Sequence, residues 1–166
     1  MNQTRLLDGL NSRADWVAGE LDSVCTSNEW QRLLIDGGPY ASAEAVYERS
    51  DAAVAGLSSA GFEEALSGHP RIGERARGAH SALSSSEQRG MSSATDELTR
   101  LMREGNLAYE QRFGRVYLVC ATGLSADELY ARLVMRLDND DETEERVARG
   151  ELAKINRLRL QRLLEH

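Results

Sequence analysis

Apolar residues recur at helical spacing in the first half of the chain. The first such stripe consists of Val17, Leu21, Val24 and Cys25. It follows Asn11-Ser12, which we expect to cap its helix. Further short helices are predicted at 30–34, after a cap at Ser42, and at 62–66. The DGGPY segment should end the helix that contains Trp30.

The second half of the chain predicts longer helices. One begins at Ser84 and should run without interruption to a stop at Gly114. Its inner face is formed by Glu87, Met91, Ala94, Leu98 and Leu101. The apolar run VYLVCATG at 116–123 is predicted to be extended, and Ser125 opens a capping box with Glu128 in front of the next helix. An acidic turn then precedes the last helix.

These patterns predict an all-α fold, a single-domain bundle of about seven to nine helices over residues 1–166. The composition supports this prediction, because only two of the 166 residues are proline and only 5% are aromatic. A chain of this length fits one domain with one hydrophobic core.

Charge and hydropathy exclude several classes of partner. No apolar run approaches the roughly 20 residues that span a bilayer, so we expect no membrane partner. The net charge of -7 argues against nucleic acid. The N-terminus lacks a signal-peptide pattern, and Cys25 and Cys120 lie in apolar contexts, which predicts a reduced, cytoplasmic protein. The two cysteines and three histidines are too scattered to predict a metal site.

The longest irregular stretch runs from Gly68 to Leu83 and contains His69 beside Pro70. Pro70 disfavours a helical conformation at His69. An imidazole on such a loop suits a general acid or base, although a loop histidine that bonds a backbone carbonyl would give the same pattern.

Glu87 has two interpretations that do not exclude each other. With Ser84 it matches S-x-x-E, so it can complete a helix capping box. A carboxyl at a helix start beside an irregular loop is also well placed for proton transfer.

Arg159 stands in the apolar column of the last helix, four residues after Ile155 and four before Leu163. A charge on a core-facing stripe requires a partner. An internal salt bridge or an outward-reaching side chain would explain the position. A guanidinium that binds a carboxylate ligand with two hydrogen bonds would explain it equally well.

Several segments together resemble one protein family. They are Leu10-Asn11, Cys25 with Ser27 and Trp30, Pro39-Tyr40, HPRIGE at 69–74, Ser84 with Glu87-Gln88, Asn106 with Tyr109 and Phe113-Gly114, and KINRLRL at 154–160. In this order and spacing they resemble the OHCU decarboxylase family, which acts on 2-oxo-4-hydroxy-4-carboxy-5-ureidoimidazoline (OHCU) in urate breakdown. The chain departs from many members after Gly114, where Arg115-Val116-Tyr117 replaces Phe-Pro-Phe.

The resemblance implies an all-helical homodimer that converts this small ureidoimidazoline to (S)-allantoin without a cofactor. The catalytic residues would be His69 and Glu87. The residues that bind the substrate would be Pro70, Ser84, Gln88 and Arg159, together with backbone groups of Tyr117, Leu118 and Val119. Which of His69 and Glu87 delivers the final proton stays open.

Two other functions remain compatible with the sequence. A helical interaction module would bind a basic partner through its acidic surface, with the loop at 69–77 as a recognition edge. A hydrolase of a related ureide would use the same scaffold for a different reaction.

Overall fold

The computed structural model of the chain describes residues 4–72 and 95–165. In these two ranges the chain forms eight helices and no strand, which confirms the all-α prediction. The helices are α1 (Thr4–Ser12), α2 (Val17–Asp22), α3 (Asn28–Asp36), α4 (Ala43–Ala55), α5 (Ser59–Ser67), α6 (Asp96–Phe113), α7 (Ala126–Leu137) and α8 (Asp141–Glu165). None of these helices is both long and apolar enough to cross a membrane.

The described residues fall into two compact units. The first unit comprises the chain up to Gly68 together with the residues from Leu152 onward, and the second unit comprises His69–Glu151. The first unit therefore contains α1 to α5 and the C-terminal part of α8, and the second contains α6, α7 and the N-terminal part of α8. The prediction of a single domain over residues 1–166 stays a prediction.

Serine caps determine where the helices of the first unit begin. The hydroxyls of Ser27, Ser42 and Ser58 each accept a hydrogen bond from the backbone N–H three residues later. The cap predicted at Ser42 is thereby confirmed. Trp30 is completely buried in this unit, and its indole Nε1 donates to Ser50 Oγ at 3.1 Å.

The predicted cap at Asn11-Ser12 is wrong, because these residues end α1 instead of starting the next helix. α2 begins at Val17 without a side-chain cap. Asn11 has a long-range role instead. Its Oδ1 accepts from the Tyr40 N–H at 2.6 Å, and its Nδ2 donates to the Tyr40 carbonyl at 3.0 Å. One amide thus holds the end of the DGGPY segment against α1.

The start of α6 corrects the predicted helix from Ser84. Thr95 has an extended backbone, with φ -68° and ψ 160°, and its hydroxyl accepts from the Leu98 N–H. α6 therefore begins with its own cap, and one uninterrupted helix from Ser84 is excluded. Ser84, Glu87, Met91 and Ala94 themselves lie outside the described residues.

Two predicted features of the second unit are confirmed, the stop at Gly114 and the capping box at Ser125. Gly114 ends α6 in the left-handed conformation, with φ 72°. Residues 116–121 belong to neither a helix nor a strand, and the capping box of Ser125 and Glu128 is present. The hydrophobic core of this unit consists of Ile72, Met102, Tyr109, Tyr117, Val119, Ala121, Leu129 and Leu133.

Candidate active site

His69 and Pro70 are half-buried and follow the end of α5 at Gly68, as predicted. The backbone can end α5 here because Gly68 lacks a side chain. A Cβ atom at this position would lie 2.7 Å from Thr26 Oγ1. The imidazole therefore occupies an irregular segment with partial access to solvent, where a bound substrate can reach a general acid or base.

Two side chains one turn apart on α6 hold the residues that follow His69-Pro70. Asn106 Nδ2 donates to the carbonyl of Ile72 at 3.1 Å, in a buried position. Arg71 Nε lies 2.9 and 3.0 Å from the two carboxylate oxygens of Glu110. The ion pair is partly exposed, and such pairs contribute about 0–1 kcal/mol. We therefore assign the main positioning role to Asn106.

Tyr117, Leu118 and Val119 are all buried, and side chains from α7 and α8 bind the backbone of residues 118 and 120. Arg136 Nη1 donates to the Leu118 carbonyl at 2.6 Å, and the Cys120 N–H donates to Glu151 Oε1 at 3.2 Å. Among the hydrogen bonds of residues 4–72 and 95–165, none engages the N–H of Leu118 or Val119. The Leu118 carbonyl is thus occupied by Arg136, and the two N–H groups are the better candidates for ligand contacts.

Arg136, which binds the 117–119 segment, also belongs to a buried network of charged residues. Glu144 is completely buried and accepts from Arg136 Nε at 2.6 Å, from the Tyr109 hydroxyl at 2.7 Å and from Asn139 Nδ2 at 3.0 Å. Burial lowers the pKa of Arg136, but the hydrogen bond and charge of Glu144 outweigh it, so the pKa is raised overall. Burial and the hydrogen bond to Glu144 raise the pKa of Tyr109 to about 12. The network is therefore an ion pair with a neutral tyrosine.

Arg136 also contacts Tyr117 directly. Its guanidinium carbon lies 4.8 Å from the centre of the Tyr117 ring, a cation–π distance. The Tyr117 hydroxyl donates to the Leu129 carbonyl at 3.2 Å, and burial raises the pKa of this phenol. Tyr117 takes the place of the second phenylalanine of Phe-Pro-Phe. It is therefore a neutral and buried aromatic side chain, as a phenylalanine would be.

Arg159 is completely buried, which excludes the outward-reaching interpretation. Its Nη1 donates to the carbonyl of Val24 at 2.8 Å. The neighbouring Cys25 thiol has a pKa raised by burial, which the backbone of Ser27 and the charge of Arg159 partly oppose. The guanidinium thus lies in the core of the first unit, where a planar fork of donors has a fixed orientation.

The predicted site residues are only partly described. His69, Pro70 and Tyr117 to Val119 belong to the second unit, and Arg159 belongs to the first. Ser84, Glu87 and Gln88 lie outside the described residues. Within the second unit, Ile72 shares one hydrophobic core with Tyr117 and Val119. The segment after His69 and the 117–119 segment therefore pack against the same core.

The sequence interpretation missed the residues that support these segments. Arg136 and Glu144 could have been found, because each is a charge on the buried stripe of its helix. Arg136 stands three residues after Leu133 on α7, and Glu144 stands four residues before Ala148 on α8. Asn106 belongs to a motif that the resemblance contained, but its contact with Ile72 has no local signal. Among the described residues no group of histidine, cysteine and acidic side chains is arranged to hold a metal ion.

Comparison with protein families places these observations in context. The sequence model of one family, described as OHCU decarboxylase, matches residues 11–161. The uric acid degradation bifunctional protein TTL of Arabidopsis thaliana is 30% identical over 148 residues, which is 84% of this chain and 44% of that protein. The 2-oxo-4-hydroxy-4-carboxy-5-ureidoimidazoline decarboxylase of Amia calva is 31% identical over 133 residues, 78% of this chain and 76% of that protein. The chain thus spans less than half the length of the bifunctional relative.

Two solved structures share the fold. A crystal structure of an OHCU decarboxylase in the presence of (S)-allantoin is similar at a TM-score of 0.76 and 26% identity, over 89% of this chain and 98% of that one. A crystal structure of an (S)-allantoin synthase is similar at a TM-score of 0.72, over 98% of this chain and 54% of that one. Its identity of 19% supports the fold alone.

Proposed function

Since this chain belongs to the OHCU decarboxylase family, we propose that it removes CO2 from OHCU and forms (S)-allantoin in urate breakdown, without a cofactor. The resemblance of the motifs to this family is confirmed. The observation that carries the proposal is the family match over residues 11–161, because that range contains every candidate site residue.

The proposed reaction requires acid–base chemistry and binding of an anion. OHCU carries a hydroxyl and a carboxylate on one ring carbon, next to the carbon that bears the ureido group. Cleavage of the bond to the carboxylate releases CO2. Its electron pair forms a double bond to the ureido-bearing carbon, and the nitrogen of the ring C=N takes up one proton. The hydroxyl loses its proton as the carbonyl forms, and a proton added to the ureido-bearing carbon gives allantoin.

We assign the proton transfers to His69 and Glu87. The half-buried imidazole of His69 lies on a segment held by Asn106, which suits a base that takes the hydroxyl proton. The carboxyl of Glu87 is proposed to supply or relay a proton to one face of the ring, which would set the S configuration. Its role rests on the S-x-x-E-Q motif, since Ser84, Glu87 and Gln88 lie outside the described residues.

The remaining candidates are proposed to bind the substrate. Arg159 would bind the anionic or carbonyl groups of the ring with its guanidinium. The N–H groups of Leu118 and Val119 would bind the ring or ureido carbonyl groups, with their position fixed by Arg136. Pro70, Ser84 and Gln88 would complete the contact surface.

The assembly and location of the protein are also part of the proposal. We infer a homodimer from the family resemblance, and sedimentation equilibrium of the purified chain would test it by mass. We infer a cytoplasmic location from the two free cysteines, of which Cys25 is buried. Fractionation of the native host tests this second inference.

The decisive experiment supplies OHCU in situ, because the compound is unstable. Urate is converted by the upstream enzymes in the presence of the purified chain, and circular dichroism follows the formation of chiral allantoin. We expect rapid formation of (S)-allantoin with one CO2 released for each molecule. Product formation without CO2 would favour the ureide hydrolase, and no acceleration together with a stable protein complex would favour the interaction module.

A further inference from the structure

Asn156 on α8 is a buried amide with unmet hydrogen-bonding capacity. The residue is completely buried, and neither Oδ1 nor Nδ2 has a hydrogen-bond partner among the residues that the structure describes. A side-chain amide has two N–H donors and two acceptor positions. Leaving such a group unmet in a core lowers stability, so a native fold that keeps one calls for a specific explanation.

The position of Asn156 connects it to Arg159. The two residues are three apart on α8, so their side chains leave the helix on the same face, one turn apart. Both also influence the thiol of Cys25. Burial raises the pKa of this thiol, and both the Asn156 side chain and the charge of Arg159 oppose the increase. The Asn156 side chain lies close enough to the thiol to lower its pKa.

A thiol is a weak hydrogen-bonding group and cannot replace the partners that an amide requires. The Asn156 amide therefore lies next to Arg159, the cation to which the family resemblance assigns substrate binding. A ligand bound by Arg159 would come within reach of Asn156, because side chains three apart on a helix are neighbours.

We infer that Asn156 recognises an amide edge of the cyclic ureide that Arg159 binds. This inference rests on the proposed function. A ring –NH–C(=O)– edge matches the side chain with two hydrogen bonds, in which Nδ2 donates to the ring carbonyl and Oδ1 accepts from the ring N–H. A simple anion has no donor for Oδ1, so the pair of Asn156 and Arg159 is suited to a ligand that combines an amide edge with an anionic or carbonyl group.

The first unit offers a matched control in Gln31. This buried amide is satisfied, because its Nε2 donates to the Cys25 carbonyl at 2.9 Å and to Asp22 Oδ1 at 3.1 Å. Replacement of either amide by leucine exchanges a buried amide for an apolar group of similar size. The two replacements should nevertheless have opposite effects on stability, because only one of them breaks hydrogen bonds within the chain.

The test measures the melting temperature, the Michaelis constant and ligand-induced stabilisation for both variants. We expect Asn156→Leu to raise the melting temperature of the free protein and Gln31→Leu to lower it. For OHCU generated in situ, Asn156→Leu should raise KM about tenfold or more, since tenfold corresponds to about 1.4 kcal/mol of binding. With (S)-allantoin as the probe, thermal stabilisation should be present in the unsubstituted protein and lost in Asn156→Leu.

Two results would overturn the inference. One is a lower melting temperature of Asn156→Leu, which would make the amide structural. The other is an unchanged KM together with an unchanged stabilisation by (S)-allantoin. Failure of the unsubstituted protein to release CO2 would instead overturn the proposed function, and the (S)-allantoin measurement would still decide the role of Asn156. An unsubstituted protein that neither releases CO2 nor is stabilised by (S)-allantoin would overturn both.

Discussion

Arg136 and Glu144 form a buried ion pair in which Arg136 Nε lies 2.6 Å from Glu144 Oε1. Their side chains are 8% and 0% exposed. The same guanidinium binds the carbonyl of Leu118 through Nη1. One arginine therefore neutralises a buried carboxylate and fixes the backbone proposed to bind the substrate.

We predict that Arg136→Met lowers the free energy of unfolding by about 3–5 kcal/mol, because it leaves the carboxylate of Glu144 buried and unpaired. The double variant Arg136→Met with Glu144→Gln should recover most of this loss, since neither residue of the pair then carries a charge. Glutamine also keeps an acceptor for the Tyr109 hydroxyl. Urea denaturation of the single and double variants checks the prediction. A loss below about 1 kcal/mol in the single variant would contradict it, because that is the scale of an exposed pair.

The positions of Arg136 and Glu144 also show that buried charges can be recognised from the sequence. Arg159 was found because a charge interrupts an apolar column of the last helix. Glu144 lies in the same column, four residues before Ala148, and Arg136 interrupts the stripe of α7. Applied to all charges on buried stripes, the same rule would have found both. The acidic turn around Glu144 instead suggested that its carboxylates only favour the start of α8.

Other features leave no pattern along the chain. The helices after Ser42 and Ser125 were predictable because a cap and its partner lie within one turn. Asn11 and Asn106 bind backbone groups 29 and 34 residues away in the sequence, so neither contact creates a period. Thr95 was missed for a different reason. The apolar spacing continues across it, and its own cap interrupts the predicted helix.

We predict that turnover survives treatment with EDTA followed by dialysis. The proposed reaction uses a histidine, a carboxyl and a guanidinium, and none of these roles requires a metal ion. The initial rate of (S)-allantoin formation should be unchanged within experimental error. Complete loss of activity that one added divalent metal restores would refute the cofactor-free mechanism.

We predict that His69→Ala lowers the rate of stereoselective allantoin formation about 10²–10⁴-fold, the usual contribution of a general acid or base. The half-buried side chain contributes little to the core, so the melting temperature should change little. His80→Ala is the control, because no role is proposed for that histidine and its rate should be close to that of the unsubstituted chain. Near-normal turnover in His69→Ala would mean that the base lies elsewhere.

We predict that Arg159→Lys raises KM about tenfold or more while the chain stays folded. Lysine keeps the charge but loses the planar fork, and a hydrogen bond to a charged group contributes about 1.5–3 kcal/mol. Arg157→Lys on the same helix is the matched control, since its partners Glu44 and Asp51 are surface carboxylates. That control should leave KM unchanged. An unchanged KM in Arg159→Lys with a lower melting temperature would support an internal structural role instead.

The last prediction separates the two interpretations of Glu87. At the third position of a helix, glutamine completes a capping box as glutamate does, but it cannot exchange a proton as a carboxyl does. Glu87→Gln should therefore change the free energy of unfolding by less than about 1 kcal/mol, the usual contribution of a cap, and still lose most of its turnover. Ser84→Ala should lower stability by about that amount and reduce turnover more mildly. Thermal unfolding and the initial rate of (S)-allantoin formation are measured together for both variants. If Glu87→Gln melts early but turns over normally per folded molecule, the carboxyl is only a cap, and the final proton must come from His69 or from a bound water.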